Sequence, residues 1–181
     1  MGDVRTERLL LRPFRAEDAE AFAAVNADPL VVRYLGSGEP IDRAASDALL
    51  ARIIAHWDEH GFGQWAAELC EDGRMVGFVG LAIPTFLPAV LPAVEVGWRL
   101  RSDVWGRGLA TEGGRAALER AFGPLRLDRV ISIIDPGNAA SLRVAEKLGL
   151  RRWRNEIIPH TGRPARVYAL ERPVASMARD E

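Results

Sequence analysis

The stretch DVWGRGLATEGG, residues 103–114, places Gly106 and Gly108 either side of Arg107, immediately ahead of a helix-like run. Glycine lets backbone N–H groups approach an anion, and a helix N-terminus adds partial positive charge, so these residue types suit a phosphate-bearing ligand. A dinucleotide turn of the G-x-G-x-x-G kind would need a third glycine at position 111, where threonine stands, and would follow a strand directly. Here RSDVW intervenes, and the next acid at a strand end, Asp135, lies further on than the roughly 20 residues such a site uses. A nucleotide-binding Rossmann-type protein therefore remains a rival reading. Gly113 and Gly114 fall inside the following helix, where each costs about 1 kcal/mol relative to alanine. That cost points to a close approach of the helix to the sheet or to a ligand.

Other chemistry-bearing residues are fewer. Asn138 stands where an N-cap belongs, ahead of a helix that Gly149 ends. His56 and His60 are four apart on a helix, a spacing that binds zinc, but HWDEH lacks the glutamate placement of H-E-x-x-H. They read as surface histidines, and no metal is expected. Cys70, the single cysteine, excludes an intramolecular disulfide and a cysteine metal cluster, and reads as a buried strand residue in a reducing cytoplasm. The N-terminal residues have no apolar signal core, which also predicts a cytoplasmic protein.

A net charge of −1 hides an asymmetry: the chain is acidic up to Trp98 and basic from Arg99 to Arg172. Basic residues near the glycine turn favour a polyanion and an acidic half favours a cationic ligand, unless most of these charges are solvated faces. With pI near 6.3 and no basic run, nucleic acid is not an expected partner. The uncharged residues 75–94 are long enough to cross a bilayer, but Pro84, Pro88 and Pro92 interrupt them. Strand, proline-rich loop, strand is the expected order there, with no membrane.

The elements that must position these residues follow from periodicity and turn chemistry. Strands are expected at residues 8–14, 63–70, 74–83, 93–100, 129–134, 150–158 and 164–171, with Asp72-Gly73 turning the second onto the third. Helices are expected at residues 16–26, from the Asp42 cap to about 59, at 109–122 and after Asn138. The order predicts one α/β domain over residues 1–172, with 173–181 as a frayed tail. Trp57, Trp65, Trp98 and Trp153 are expected in the core or in cleft walls.

VEVGWRLRSDVWGRGLATEGGRAALERAF followed by NAASLRVAEKLGL resembles the GNAT superfamily of N-acetyltransferases, most closely the branch named for enzymes that acetylate ribosomal-protein N-termini. The likeness runs from ERLLLRPF to RVYALER, nearly the whole chain. It implies an α+β fold with a mixed, mostly antiparallel sheet of about seven strands, splayed at the fourth, and about four helices. It also implies acetyl-CoA as cofactor, its pantetheine arm pairing along Val96, Trp98, Arg99 and Leu100 and its pyrophosphate on the backbone of Arg107, Gly108, Leu109, Ala110 and Thr111. The Arg107 side chain is a further phosphate helper in that scheme. Trp105 departs from the Arg or Gln with which many members begin this turn.

The same resemblance places Asn138 and Ser141 beside the thioester, with Ser141 donating to the departing thiolate, a step for which many relatives use a tyrosine that SLRVAEKLGL lacks. Glu95 becomes the general-base candidate, its alternative being a strand carboxylate paired with an arginine. The N–H of Val96 or Gly97 would polarise the acetyl carbonyl. Tyr34 and its loop would border the acceptor, an amine on a protein N-terminus or small molecule approaching over the acidic half. The loop of residues 84–92, with Phe86, Leu87, Val90 and Leu91, would line either that channel or a homodimer contact. A module of this fold that senses acyl-CoA without turnover is the other alternative.

Overall fold

The computed structural model describes residues 2–173. The strands are β1 (Val4–Arg5), β2 (Leu9–Arg12), β3 (Gln64–Leu69), β4 (Met75–Ala82), β5 (Glu95–Leu100), β6 (Arg129–Ile134), β7 (Arg151–Ile157) and β8 (Pro164–Glu171). The helices are α1 (Ala19–Ala27), α2 (Pro29–Val32), α3 (Arg43–His60), α4 (Leu109–Phe122) and α5 (Ala139–Lys147). One sheet of eight strands runs β1-β2-β3-β4-β5-β6-β8-β7, and every neighbouring pair is antiparallel except β5–β6. A doubly wound dinucleotide fold needs a mostly parallel sheet, so the Rossmann reading fails.

Local chemistry sets the boundaries. Asp42 accepts from the Ala45 N–H to start α3, and Gly61 ends it in the left-handed region at φ 72°. Asn138 accepts from the Ser141 N–H to start α5. Glycine is required at the β4–β5 crossing: a Cβ on Gly77 would lie 2.0 Å from the Arg99 carbonyl oxygen. The two glycines inside α4 let that helix seat closely. A Cβ on Gly113 would meet the Val79 side chain at 3.1 Å, and one on Gly114 would meet Leu148 at 2.7 Å. The close approach is therefore to the sheet and to the end of α5.

Alternation along the strands splits the core. Trp65, Ala67, Leu69, Val76, Val79, Leu81 and Val96 pack with α4 on one face. Phe14, Phe22, Leu50, Ile53, Ala66 and Phe78 join α1 and α3 to the other. Under the second face, the Arg12 guanidinium bonds both oxygens of Asp18 at 2.8 Å and Glu68 at 2.8 Å, with almost no exposure. Asp18 also accepts from the Arg15 N–H, which delays regular α1 to Ala19 behind a 3-10 turn.

Several expectations need correction. The sheet has an extra edge strand, β1, and four residues of the Tyr34 loop form α2 around Pro29; both are too short for periodicity to register. His56 is wedged rather than surface-exposed: its Nδ1 meets the Phe62 carbonyl at 2.9 Å and its Nε2 accepts from the Ile83 N–H at 3.1 Å. This fixes a neutral ring, and burial lowers its pKa. Trp153 is exposed and stacked between Arg129 and Arg154, not in the core. Cys70 is half-buried just past β3. Leu87 and Val90 are core residues against Ile131 and Val167, so of the four apolar side chains expected to line a surface there, Phe86 and Leu91 are exposed. Residues 174–181 of the expected tail lie outside the described residues. Among the described residues, no helix is long and apolar enough to cross a membrane, and no cluster of metal-ligating side chains forms.

Candidate active site

The site begins where the sheet opens. β5 and β6 are paired only at Glu95↔Ile131, with the Ile131 N–H on the Val94 carbonyl. Two residues on, the Ile133 N–H has no backbone acceptor across the gap and takes a Glu95 carboxylate oxygen at 3.2 Å instead. Glu95 thus sits at the vertex of the splay. Beyond it the β6-facing edge of residues 97–100 has no strand partner. That matches the expected splay at the fourth of the strands read from the sequence.

Two clefts of about 430 Å³ each open from this gap, one toward each face of the sheet. Both volumes fall in the range of small-molecule sites. Tyr34, Leu35, Trp98, Arg99, Asn138 and Ser141 line both clefts, so the clefts meet at these side chains.

The first cleft runs along Leu100, Trp105, Gly106, Gly108, Leu109, Ala110 and Thr111 to the face of α5. Gly106 and Gly108 take φ values of 78° and 82°, left-handed conformations that favour glycine, and carry the chain into α4. The first intrahelical bond is the Glu112 N–H to the Gly108 carbonyl, which leaves the amides of Leu109, Ala110 and Thr111 without intrahelical acceptors. Glu112 braces the turn from behind: it accepts from Thr6 and from the Arg8 N–H and guanidinium, while Arg8 also holds the Arg107 carbonyl at 2.6 Å. The Trp105 indole donates to the Leu100 carbonyl at 2.8 Å, fixing the turn on the end of β5. Leu109 and Val96 bury their side chains in the core, so only their backbones can serve a ligand.

The Arg107 side chain does not serve this cleft. It pairs with Glu71 at 3.0 Å and is absent from the lining. The basic groups that do line it are Arg99, named from the sequence, and Arg33, Arg143 and Lys147, which the sequence reading missed. Arg143 and Lys147 are four apart on α5, a spacing that shares one helix face and was available as a signal. Replacing both with alanine is expected to raise KM for acetyl-CoA about 5- to 10-fold with kcat within twofold, in line with one or two solvent-screened phosphate contacts. Initial-rate kinetics check this, and an unchanged KM would remove the two residues from the site.

At the junction, Asn138 and Ser141 are held together as one cap, and the Trp98 indole donates to Ser141 Oγ at 3.2 Å. With that lone pair occupied, the Ser141 hydroxyl hydrogen is free to point into the junction. Glu95, opposite, lies deep among protein atoms at the floor of the second cleft. Burial pushes its carboxyl up to about 7, only partly offset by the Ile133 N–H. Among the described residues no arginine pairs with it, which disfavours the alternative of a strand carboxylate in an ion pair.

The second cleft corrects the charge expectation. Its lining carries Arg52, Arg99, Arg163 and His160 against Glu95 and Asp135. Asp135 is held by Arg163 at 2.9 Å. Acidic residues of the N-terminal half are engaged elsewhere, Asp18 and Glu68 by Arg12 and Glu71 by Arg107. Of the acidic N-terminal half, Glu95 is the carboxylate in this lining, and the rest point elsewhere.

A splayed sheet whose gap joins a phosphate-suited cleft to a second pocket through a buried carboxylate and a hydroxyl defines an acyltransferase. The chain belongs to the GNAT acetyltransferase family: the model of the acetyltransferase (GNAT) domain matches residues 8–151. Among curated proteins, the uncharacterized N-acetyltransferase YoaA of Bacillus subtilis is 27% identical over 82% of each chain. Among solved structures, an acetyltransferase from Agrobacterium tumefaciens aligns with a TM-score of 0.81 at 29% identity, covering 94% of this chain and 95% of that one. RimJ of Mycobacterium smegmatis, in complex with CoA-disulfide, aligns with a TM-score of 0.72 at 21% identity, covering 94% and 86%, a likeness of fold.

Proposed function

We propose that this chain transfers an acetyl group from acetyl-CoA directly to a primary amine, with both substrates bound at once. The observation that carries the reading is the junction: two clefts meet at Trp98, Asn138 and Ser141, with Glu95 held near neutrality beside them. A module that only senses acyl-CoA has no use for a buried carboxylate poised to exchange a proton at physiological pH.

The residues present fit coenzyme A. The unpaired edge of β5 offers backbone groups to an amide-bearing arm, as an added strand would. The amides of Leu109, Ala110 and Thr111 suit a pyrophosphate, and Arg143 and Lys147 offer further positive charge. That a protein of similar fold was solved in complex with CoA-disulfide supports coenzyme A as the ligand. When bound, acetyl-CoA supplies an activated acetyl thioester. Glu95 takes the proton that an ammonium acceptor must lose, directly or through water. Alternation from the Val94 carbonyl turns the Trp98 N–H toward the open gap, so it, rather than the N–H of Val96 or Gly97, polarises the acetyl carbonyl. Ser141, oriented by Trp98 and by the Asn138 cap, donates to the departing sulfur.

Free-thiol release from acetyl-CoA across a panel of amines tests the reading. Amine-dependent release is expected; cofactor binding with no turnover on any amine would replace the enzyme by a sensor. For Ser141→Ala, kcat is expected to fall about 10- to 50-fold with KM for acetyl-CoA within threefold, the effect of one hydrogen-bond donor acting only as charge develops. Unaltered turnover would end the assignment.

A further inference from the structure

Arg99 is the least satisfied charged group around the junction. Its Nη1 donates to Asn26 Oδ1 at 2.5 Å and its guanidinium lies 5.2 Å over the Phe78 ring, but its Nε is buried without any partner. Among the described residues no carboxylate offsets it, and burial depresses its pKa to about 10. The nearest carboxylate on the same strand face, Glu95, bonds the Ile133 N–H instead. A half-buried cation with one donor sealed from water is unfavourable unless something compensates.

The strand's own geometry shows what can compensate. Residues 95, 97 and 99 of β5 share one face of the sheet, with Glu95 and Arg99 about 13 Å apart along the backbone. Between them stands Gly97, whose missing Cβ would meet nothing nearer than Gln64 Nε2 at 3.9 Å. The floor is therefore open exactly between a base and a lone cation. Arg52 adds a second positive group to the same cleft, while Arg163 is held by Asp135. A polyamine would face these guanidinium groups with only Glu95 unpaired to receive it.

We propose that the acceptor is a small primary amine that also carries a carboxylate, seated over Gly97 with its carboxylate on Arg99 and its amine toward Glu95. This rests on the transferase reading above and names the chemical class of its second substrate. The planar guanidinium suits a carboxylate through parallel N–H donors, and Nε is one of the donors such a pair uses. Amine and carboxylate then occupy opposite ends of the cleft, which directs the nitrogen to the junction.

The test is acetylation of the common amino acids, each beside its carboxamide and its decarboxylated amine, with polyamines and short peptides in the same assay. At least one amino acid is expected to exceed its own amide by 30-fold or more in kcat/KM. In Arg99→Gln that ratio should collapse to within threefold, and Arg99→Lys should restore part of it. Calorimetric titration of the same acids and amides onto the CoA-loaded protein provides a readout independent of turnover. Arg99-dependent binding of acids with no acetylation would sustain the inference and overturn the transferase reading. Amides equal to acids, preference for polyamines or peptides, or a ratio indifferent to Arg99 would overturn the inference, with turnover on those amines leaving the transferase reading in place.

Discussion

Glu95→Gln is expected to lower kcat/KM at pH 8 by about 100-fold or more, the usual contribution of a positioned general base. Glutamine keeps an oxygen to accept the Ile133 N–H, so the splay vertex survives while the proton acceptor is lost. The wild-type rate should rise with pH through about 7, where the Glu95 carboxyl ionises, and the variant should lose that limb. Stability moves the opposite way. The folded carboxyl is raised from the ordinary 4.5 to about 7 by burial, so the folded state holds the proton more tightly than the unfolded chain. The stabilisation this provides is complete below about 4.5 and is lost as pH rises through 7. At pH 8 the wild type carries a buried carboxylate that the variant does not, a difference of up to about 3 kcal/mol, reduced by the opening of the cleft to water. Glu95→Gln should therefore melt several degrees higher than wild type at pH 8 and nearly level with it at pH 4.5. A rate that keeps its limb near pH 7 in the variant would show that another group, or bulk water, takes the proton.

Arg12→Met should destabilise the fold by about 3–5 kcal/mol, the cost of leaving a buried carboxylate without its partner. Both Asp18 oxygens bond that guanidinium, and neither residue has solvent to fall back on. Burial works to raise the Asp18 pKa, yet the Arg12 bonds and the Arg15 N–H more than reverse this and leave it lowered. The stability it contributes is present above its unfolded pKa and drains away as pH falls through the depressed folded value. Urea unfolding at pH 7 measures the loss, and adding Asp18→Asn to Arg12→Met should recover part of it. A single variant within 1 kcal/mol of wild type would mean that water and the Arg15 N–H are enough to hold the Asp18 carboxylate.

The parts of the fold with strong local signals were legible in the sequence. The bounds of α4, β6 and β8 follow from periodicity together with Gly108, Gly123 and Pro164, and the caps at Asp42 and Asn138 behave as residue type dictates. Glu95 and Ser141 were legible only through family likeness, since nothing in EVGW says that β6 will diverge after one residue pair. Charge was misleading. The acidity of the N-terminal half describes where carboxylates stand along the chain, whereas the pairing of Asp18 and Glu68 with Arg12 and of Glu71 with Arg107 decides what a ligand meets. Even Arg107, flanked by the two turn glycines, is drawn away by Glu71. Pairings between residues this distant in sequence leave no local trace. For the same reason Arg99, one strand residue among many, gave no sign that it would be buried without a counter-ion.

The gap between β5 and β6 also bears on how the protein behaves at high concentration. Unpaired N–H and C=O groups at the rim of a sheet template the addition of foreign strands, and folds usually keep them at the periphery where lysine, proline or a bulge can blunt them. Here such a rim lies inside the sheet, along residues 97–100, and cannot be blunted without filling the gap itself. Its protection falls to whatever occupies the gap. On the proposed function acetyl-CoA covers this seam, so the colloidal shelf life of concentrated protein is expected to depend on the thioester supply as much as on the chain.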